Sequence, residues 1–416
     1  MNKRDFLRTL GSATAGIVLG PELLEHLAAT PINQLAQEEP FWAAVRSKFR
    51  LTDDYINLEN GYYCFQPAPV LEAFIGHVRT INFHGSHYMR TRRGDDKQRV
   101  RARLAGMAGC SPDELIITRN TTESLDTVIA GFDWKSGDEA VMANQDYGAM
   151  LDMFKLQARR YGMVNRLVDI PMDPKSDDEV IQVYAKALTP RTKLLMIPHM
   201  VNITGHVLPV PAICDMAHAR GVPVMVDGAH TFGQLDFRIP DLHCDYYGSS
   251  LHKWLSTPLG AGILYVRRDR IAALWPIYGD EGIPVDDISK LNHTGTHPSH
   301  TDLGIENAIA FHEQIGSARK EARLRHLQRY WTSKVRGVPK IVLNTPSDPK
   351  RSCAIANVGI AGISPADLAR TLLDKYKVFT VAIDNAGVQG VRVTPQVYTS
   401  TAELDRFVRA LEAIAA

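Results

Sequence analysis

The stretch Val222-Pro-Val-Met-Val-Asp227-Gly-Ala-His230 constrains this chain more than any other. A short β-branched run that stops on an acid reads as a strand buried on both faces. Such strands belong to parallel sheets covered by helices on both sides. In open sheets of that kind ligands sit outside the carboxyl ends of the strands, which is where Asp227 stands. Twenty-six residues further on comes Lys253, in Ser249-Ser-Leu-His-Lys-Trp254, amid apolar text that runs on into Gly260-Ala-Gly-Ile-Leu-Tyr-Val266. A lysine in apolar surroundings sheds its proton readily and becomes a nucleophile towards carbonyl carbon. Taken singly, a turn-capping acid and a solvated lysine are the commoner outcomes for such residues.

The two motifs together are more specific. Val-Asp-Gly-Ala-His followed by Ser-Leu-His-Lys-Trp resembles the class V aminotransferases, fold-type I enzymes that depend on pyridoxal phosphate and include cysteine desulfurases and isopenicillin N epimerase. The resemblance extends over roughly residues 50 to 412 and is closest from Asp227 to Lys253. It implies an α/β fold with a large domain, whose mostly parallel seven-stranded sheet lies between helices, and a small C-terminal α+β domain. It also implies pyridoxal phosphate as cofactor, with Lys253 as the amine for its aldehyde and later the general base. Asp227 then faces the pyridinium nitrogen and keeps it protonated.

Other candidate residues follow in chain order. Leu115–Thr118 reads as a strand, and Asn120-Thr-Thr-Glu123 then opens a helix carrying Leu125, Val128 and Ile129. Asn120 with Glu123 fits an N-cap and capping box. A helix start after a strand offers free N–H groups and a positive dipole end, which suit a phosphate. The resemblance assigns Thr121 and Thr122 to the cofactor phosphate, joined by Ser250, His252 and a Thr296 reaching over from a neighbouring subunit. A homodimer with shared active sites is therefore implied. Tyr147 matches the ring that stacks on the pyridine face. Asn202 matches the asparagine that bonds the phenolic oxygen, and His230 tunes the same atom. Arg392, in Gly390-Val-Arg-Val-Thr, matches the arginine that forks onto the carboxylate of an amino-acid substrate, a geometry lysine lacks. Asn60-Gly61 is either a plain turn or a substrate contact, since the family has such a turn near its substrate. The basic stretch His84-Gly-Ser-His-Tyr-Met-Arg90-Thr-Arg-Arg93 is either a carboxylate-binding element or a solvated loop.

Composition narrows the partners. A 416-residue chain with net charge +1 suggests no nucleic-acid or polyanion partner, and it contains no apolar run of membrane-spanning length. Five scattered cysteines argue against a structural zinc or a disulfide framework. The residues 379–387 contain no cysteine where desulfurases carry their mobile nucleophile, and Cys353 reads as a buried hydrophobe. Lys3-Arg-Asp-Phe-Leu-Arg8 before a weakly apolar run resembles a twin-arginine export signal and implies a periplasmic or exported enzyme; a frayed helix on a cytoplasmic protein is the other reading. The expected organisation is a signal segment over 1–30, an N-terminal segment over 31–75 packing on the small domain, a large domain over 76–315 and a small domain over 316–416. Three functions stand: an isopenicillin N epimerase-like enzyme on an amino acid (transamination, epimerisation or lyase chemistry), a desulfurase or selenocysteine lyase, and a non-catalytic descendant.

Overall fold

The computed structural model describes residues 19–279 and 281–416. The chain enters through the helices Pro21–Ala29 and Glu39–Arg46 and a two-residue strand, β1 (Ile56–Asn57). The long helix Ala68–Thr91 and the helix Arg93–Ala108 lead into the largest sheet. Its seven strands are β2 (Leu115–Thr118), β3 (Glu139–Ala143), β4 (Val164–Val168), β5 (Thr192–Pro198), β6 (Val224–Asp227), β7 (Tyr246–Ser250) and β8 (Gly262–Val266). Their order is β2-β8-β7-β6-β5-β3-β4. Only β8 runs against the rest, pairing antiparallel with both β2 and β7. The inner strands are buried apart from Lys193 on β5, as a sheet sandwiched by helices requires, and of the two edge strands β2 is buried while β4 is partly exposed.

The sheet positions the site because its parallel strands end together. Pro198, Asp227 and Ser250 close β5, β6 and β7 at one edge, and the helix Thr121–Gly131 starts there after β2. Gly228, directly after Asp227, has no room for a side chain, since a Cβ would lie 1.9 Å from the Tyr247 ring. Only a glycine there lets the Tyr247 ring pack against the backbone just beyond β6.

The small domain begins after the helix Ser299–Ile315 with the helix Ser317–Val335, whose Leu327, Trp331 and Val335 pack into its core. It contains β9 (Ile341–Leu343), β10 (Ala356–Ile360), β11 (Val378–Phe379), β12 (Val381–Asn385) and β13 (Val388–Val393), then the helix Thr401–Ala415. Four of these form an antiparallel sheet in the order β12-β13-β10-β9, and β11 pairs in parallel with β1. The N-terminal segment is thereby stitched to the small domain. Arg46 forks onto Glu403 at 2.7 and 2.8 Å. The fully buried Arg323 reaches the carbonyls of Ala36 and Thr399, and Glu39 at 2.5 Å.

Two readings of the sequence are corrected here. Residues 19–30 are not a detached segment: Leu19, Leu24 and Leu27 are buried. Leu19 N–H donates to Gln314 at 2.9 Å, and Arg319 donates to Leu27 O at 3.0 Å. A nine-residue helix with two buried leucines is too short to show periodicity in the sequence. Residues 1–18, with the export motif, lie outside the described residues. The stretch 84–93 is not a loop but mostly helix, continuous with Ala68–Thr91 across a break at Gly85 (φ 53°), and its basic side chains are largely turned outward. Among the described residues no helix is long and apolar enough to cross a membrane.

Candidate active site

A cleft of ≈ 330 Å³ opens at the carboxyl edge of the large sheet, and the small domain contributes Arg392 to its lining. Lys253, Asp227, His230, Asn202, Tyr147, Thr121, Thr122, Ser250, His252 and Arg392 all line it. Their placement is local in origin, since each lies at or just beyond the end of β2, β3, β5, β6 or β7, except Arg392, which arrives on β13.

The electrostatics of the floor are set by burial. Asp227 accepts the Ala229 N–H at 2.9 Å. Desolvation raises its carboxyl above the ordinary range, against the pull of that N–H and of Lys253. Lys253 is pushed down to about 8 by burial, with Asp227 opposing and Arg392 assisting. His230, again chiefly through burial, stays neutral, its pKa held well below the usual value. Its tautomer follows from its neighbours. Trp254 Nε1–H can only donate, and it lies 3.3 Å from His230 Nδ1, so the ring proton sits on Nε2. That Nε2 is 3.3 Å from Lys253 Nζ. An N–H aimed there suits an unprotonated amine or an anionic oxygen.

The other end of the cleft suits a phosphate. Asn120 Oδ1 caps the helix by accepting Glu123 N–H at 2.9 Å. The reciprocal bond of a capping box goes elsewhere, from Arg119 N–H to Glu123 at 2.5 Å. Thr121 N–H donates to Ser250 Oγ at 2.8 Å, and the two hydroxyls lie 2.8 Å apart. His252 Nδ1 is buried with no hydrogen-bond partner among the described residues. A buried orphan nitrogen, two hydroxyls and a helix N-terminus at one spot make an anion cradle. With a buried carboxylate and a low-pKa lysine at the opposite end, the residues fit pyridoxal phosphate.

Asn60 and Thr296 stand apart from this set, and Arg392 belongs to it under a constraint. Asn60 does not line the cleft and is corrected to a structural role. It is fully buried, its amide donates to Thr394 O at 2.7 Å, and its oxygen accepts from Asn57 at 2.8 Å and Tyr398 at 2.6 Å. Three of the four hydrogen-bonding positions of its side chain are thereby taken within the protein. Thr296 is exposed and does not line the cleft of its own chain. Arg392 does line it, but Glu59 grips the guanidinium through Nε at 3.2 Å and through Nη2. Sequence reasoning missed Glu59 and Tyr62; the Asn60-Gly61 turn was the signal pointing to that corner, and Glu59 gave none of its own.

A family model described as Aminotransferase class-V matches residues 66–410. The chain belongs to the class V aminotransferase family. Pyridoxal phosphate is the cofactor of this class V enzyme. Isopenicillin N epimerase of Amycolatopsis lactamdurans is 29% identical over 390 residues, covering 89% of this chain and 98% of that protein. The Streptomyces clavuligerus isopenicillin N epimerase is 26% identical over 390 residues, covering 90% and 98%. The cysteine desulfurase of Haloferax volcanii is 26% identical over 389 residues, covering 87% and 90%. Among solved structures, the apo cysteine desulfurase from Thermococcus onnurineus superposes with a TM-score of 0.79 at 22% identity, covering 89% of this chain and 97% of its own. That likeness establishes the fold of the class V enzyme, including the seven-stranded sheet and the smaller C-terminal domain.

Proposed function

We propose that this class V enzyme works at Cα of an amino acid in the manner of its isopenicillin N epimerase relatives. The observation that carries the reading is that Lys253, Asp227 and Arg392 line one cleft. Pyridoxal phosphate, when bound, supplies an electron sink for the pair left at Cα. The protein does the rest. Asp227 holds a negative charge in a dry setting against the ring nitrogen, where a charge-assisted bond is strong. His230 presents Nε2–H, and Asn202 its amide, to the phenolic oxygen. Thr121, Thr122, Ser250 and His252 anchor the phosphate, and Tyr147 covers the ring. Lys253, its pKa near 8, is the base that takes the proton from Cα.

The desulfurase alternative is disfavoured by one observation. Residues 381–385, where the mobile cysteine would be sought, form β12 in a hairpin with β13. Cys64 is the cysteine nearest the site in its electrostatics. It is fully buried, donates to Asn60 O, and has its thiol pushed up to about 12 by burial, so it is no nucleophile. A non-catalytic descendant would have no reason to keep Lys253, Asp227, Asn202 and Arg392 in one cleft.

Borohydride reduction of the holoenzyme, then peptide mapping, should find the pyridoxyl group on Lys253. A label on another lysine, or none, overturns the assignment. We also propose a homodimer in which Thr296 completes the phosphate site of the partner, a reading supported by its exposure outside its own cleft. Thr296→Ala should weaken cofactor retention, and mixing Thr296→Ala with Lys253→Ala chains should restore one competent site per mixed dimer. A fully active monomer by light scattering refutes this.

A further inference from the structure

The grip of Glu59 on Arg392 is more than an ion pair, because it uses a particular edge of the guanidinium. Both side chains are buried, 9% and 4% exposed. Glu59 takes Nε–H at 3.2 Å and one hydrogen of Nη2. Asn202 O takes one hydrogen of Nη1 at 3.3 Å. A guanidinium has five N–H groups in a plane. One N–H therefore remains on each Nη, and the two can serve a carboxylate. The plane of the group is fixed as well. A Cβ on Gly61 would lie 3.0 Å from both Cζ and Nη2 and 3.2 Å from Nε, so the guanidinium lies flat against the Gly61 backbone, and a side chain there would push it aside by a few tenths of an ångström. Arg392 and Gly61 both line the cleft.

We propose that Glu59 and Gly61 are positioning residues that hold Arg392 side-on and flat, so that its remaining N–H pair faces the substrate α-carboxylate. The inference rests on the reading of Arg392 as the carboxylate-binding residue. It explains why a buried arginine whose charge is already balanced still serves recognition. Glu59 supplies neutralisation and aim from one edge, and the free edge supplies bidentate selectivity. A guanidinium left to rotate would lose that selectivity while keeping its charge.

The test compares affinities on the holoenzyme for paired probes, L-alanine with ethylamine and L-phenylalanine with phenethylamine, read from the cofactor absorbance. The amino-acid-to-amine ratio is internal to each variant, so partial misfolding does not distort it. Glu59→Gln and Gly61→Ala should each lower the ratio about tenfold, the loss of one charge-assisted contact, with amine affinity unchanged. Arg392→Lys is the control. If Arg392→Lys leaves the ratio at the wild-type value, the carboxylate reading itself fails and takes this one with it. If Arg392→Lys collapses the ratio while Glu59→Gln and Gly61→Ala do not, the positioning role alone fails. A ratio that rises in Glu59→Gln would make Glu59 a competitor for the arginine and also overturns the proposal. A second readout needs no substrate. In cofactor-free protein, hindered rotation of the Arg392 guanidinium, seen as separate Nη signals in nitrogen NMR spectra, should be present in wild type and lost in both variants. Its persistence in both refutes the clamp.

Discussion

Lys253→Ala holoenzyme should turn over its substrate at least about 10⁴-fold more slowly than wild type, because a nucleophilic and a general-base role vanish together. The expectation comes from electrostatics as well as from position. Burial brings Lys253 down to about 8. At pH 7 about one-tenth of such amines are unprotonated, against about one part in 3000 for an ordinary lysine. The rate at which the cofactor-free protein captures pyridoxal phosphate should accordingly climb with pH, level off above about 8, and be absent from the variant. Methylamine added to Lys253→Ala should recover part of the lost turnover by replacing the missing amine. A variant that keeps more than a hundredth of wild-type turnover, or a capture rate still climbing steeply at pH 10, would contradict the role.

The legible parts of this site were those written in neighbouring residues. The run before Asp227 is apolar because β6 is buried on both faces, and the acid marks its end because parallel strands finish at the ligand edge. Asn120 declared a helix start because an N-cap needs a side-chain acceptor three residues before the N–H it takes. What could not be read lies in contacts made across the fold. Glu59 and Arg392 are separated by 333 residues, and no periodicity links them. Asn60 looked available for substrate because its partners, Thr394 and Tyr398, come from the far end of the chain. The charged text over 84–93 resembled a loop, yet a helix whose outer side chains are exposed carries the same composition. The strand β4, Val-Asn-Arg-Leu-Val, escaped notice for a related reason: an edge strand with one open side need not be apolar.

Asp227→Asn should separate activity from stability. The amide keeps the shape of the carboxylate but cannot hold the ring nitrogen protonated, so turnover should fall by about 10³-fold, in the range seen when a buried electrostatic partner is removed. Stability of the cofactor-free protein should move the other way. Burial raises the Asp227 carboxyl above its unfolded value. Between those two values the folded state holds more protons than the unfolded one, so stability falls as pH rises through that window. Its contribution is intact only below the unfolded value, and at pH 7 the cofactor-free protein bears the cost of the raised carboxyl. An asparagine carries no such group. The variant without cofactor should therefore melt at a higher temperature than wild type at pH 7, and the gap should shrink as the pH is lowered towards the unfolded carboxylate value. Adding cofactor should raise the wild-type melting temperature more than that of the variant, because the ring nitrogen gives the buried carboxylate the cation it lacks. Melting curves with and without cofactor at two pH values read all three. A cofactor-free variant less stable than wild type at pH 7 would mean that Asp227 is satisfied by the protein alone, and its assignment to the ring nitrogen would lose its physical basis.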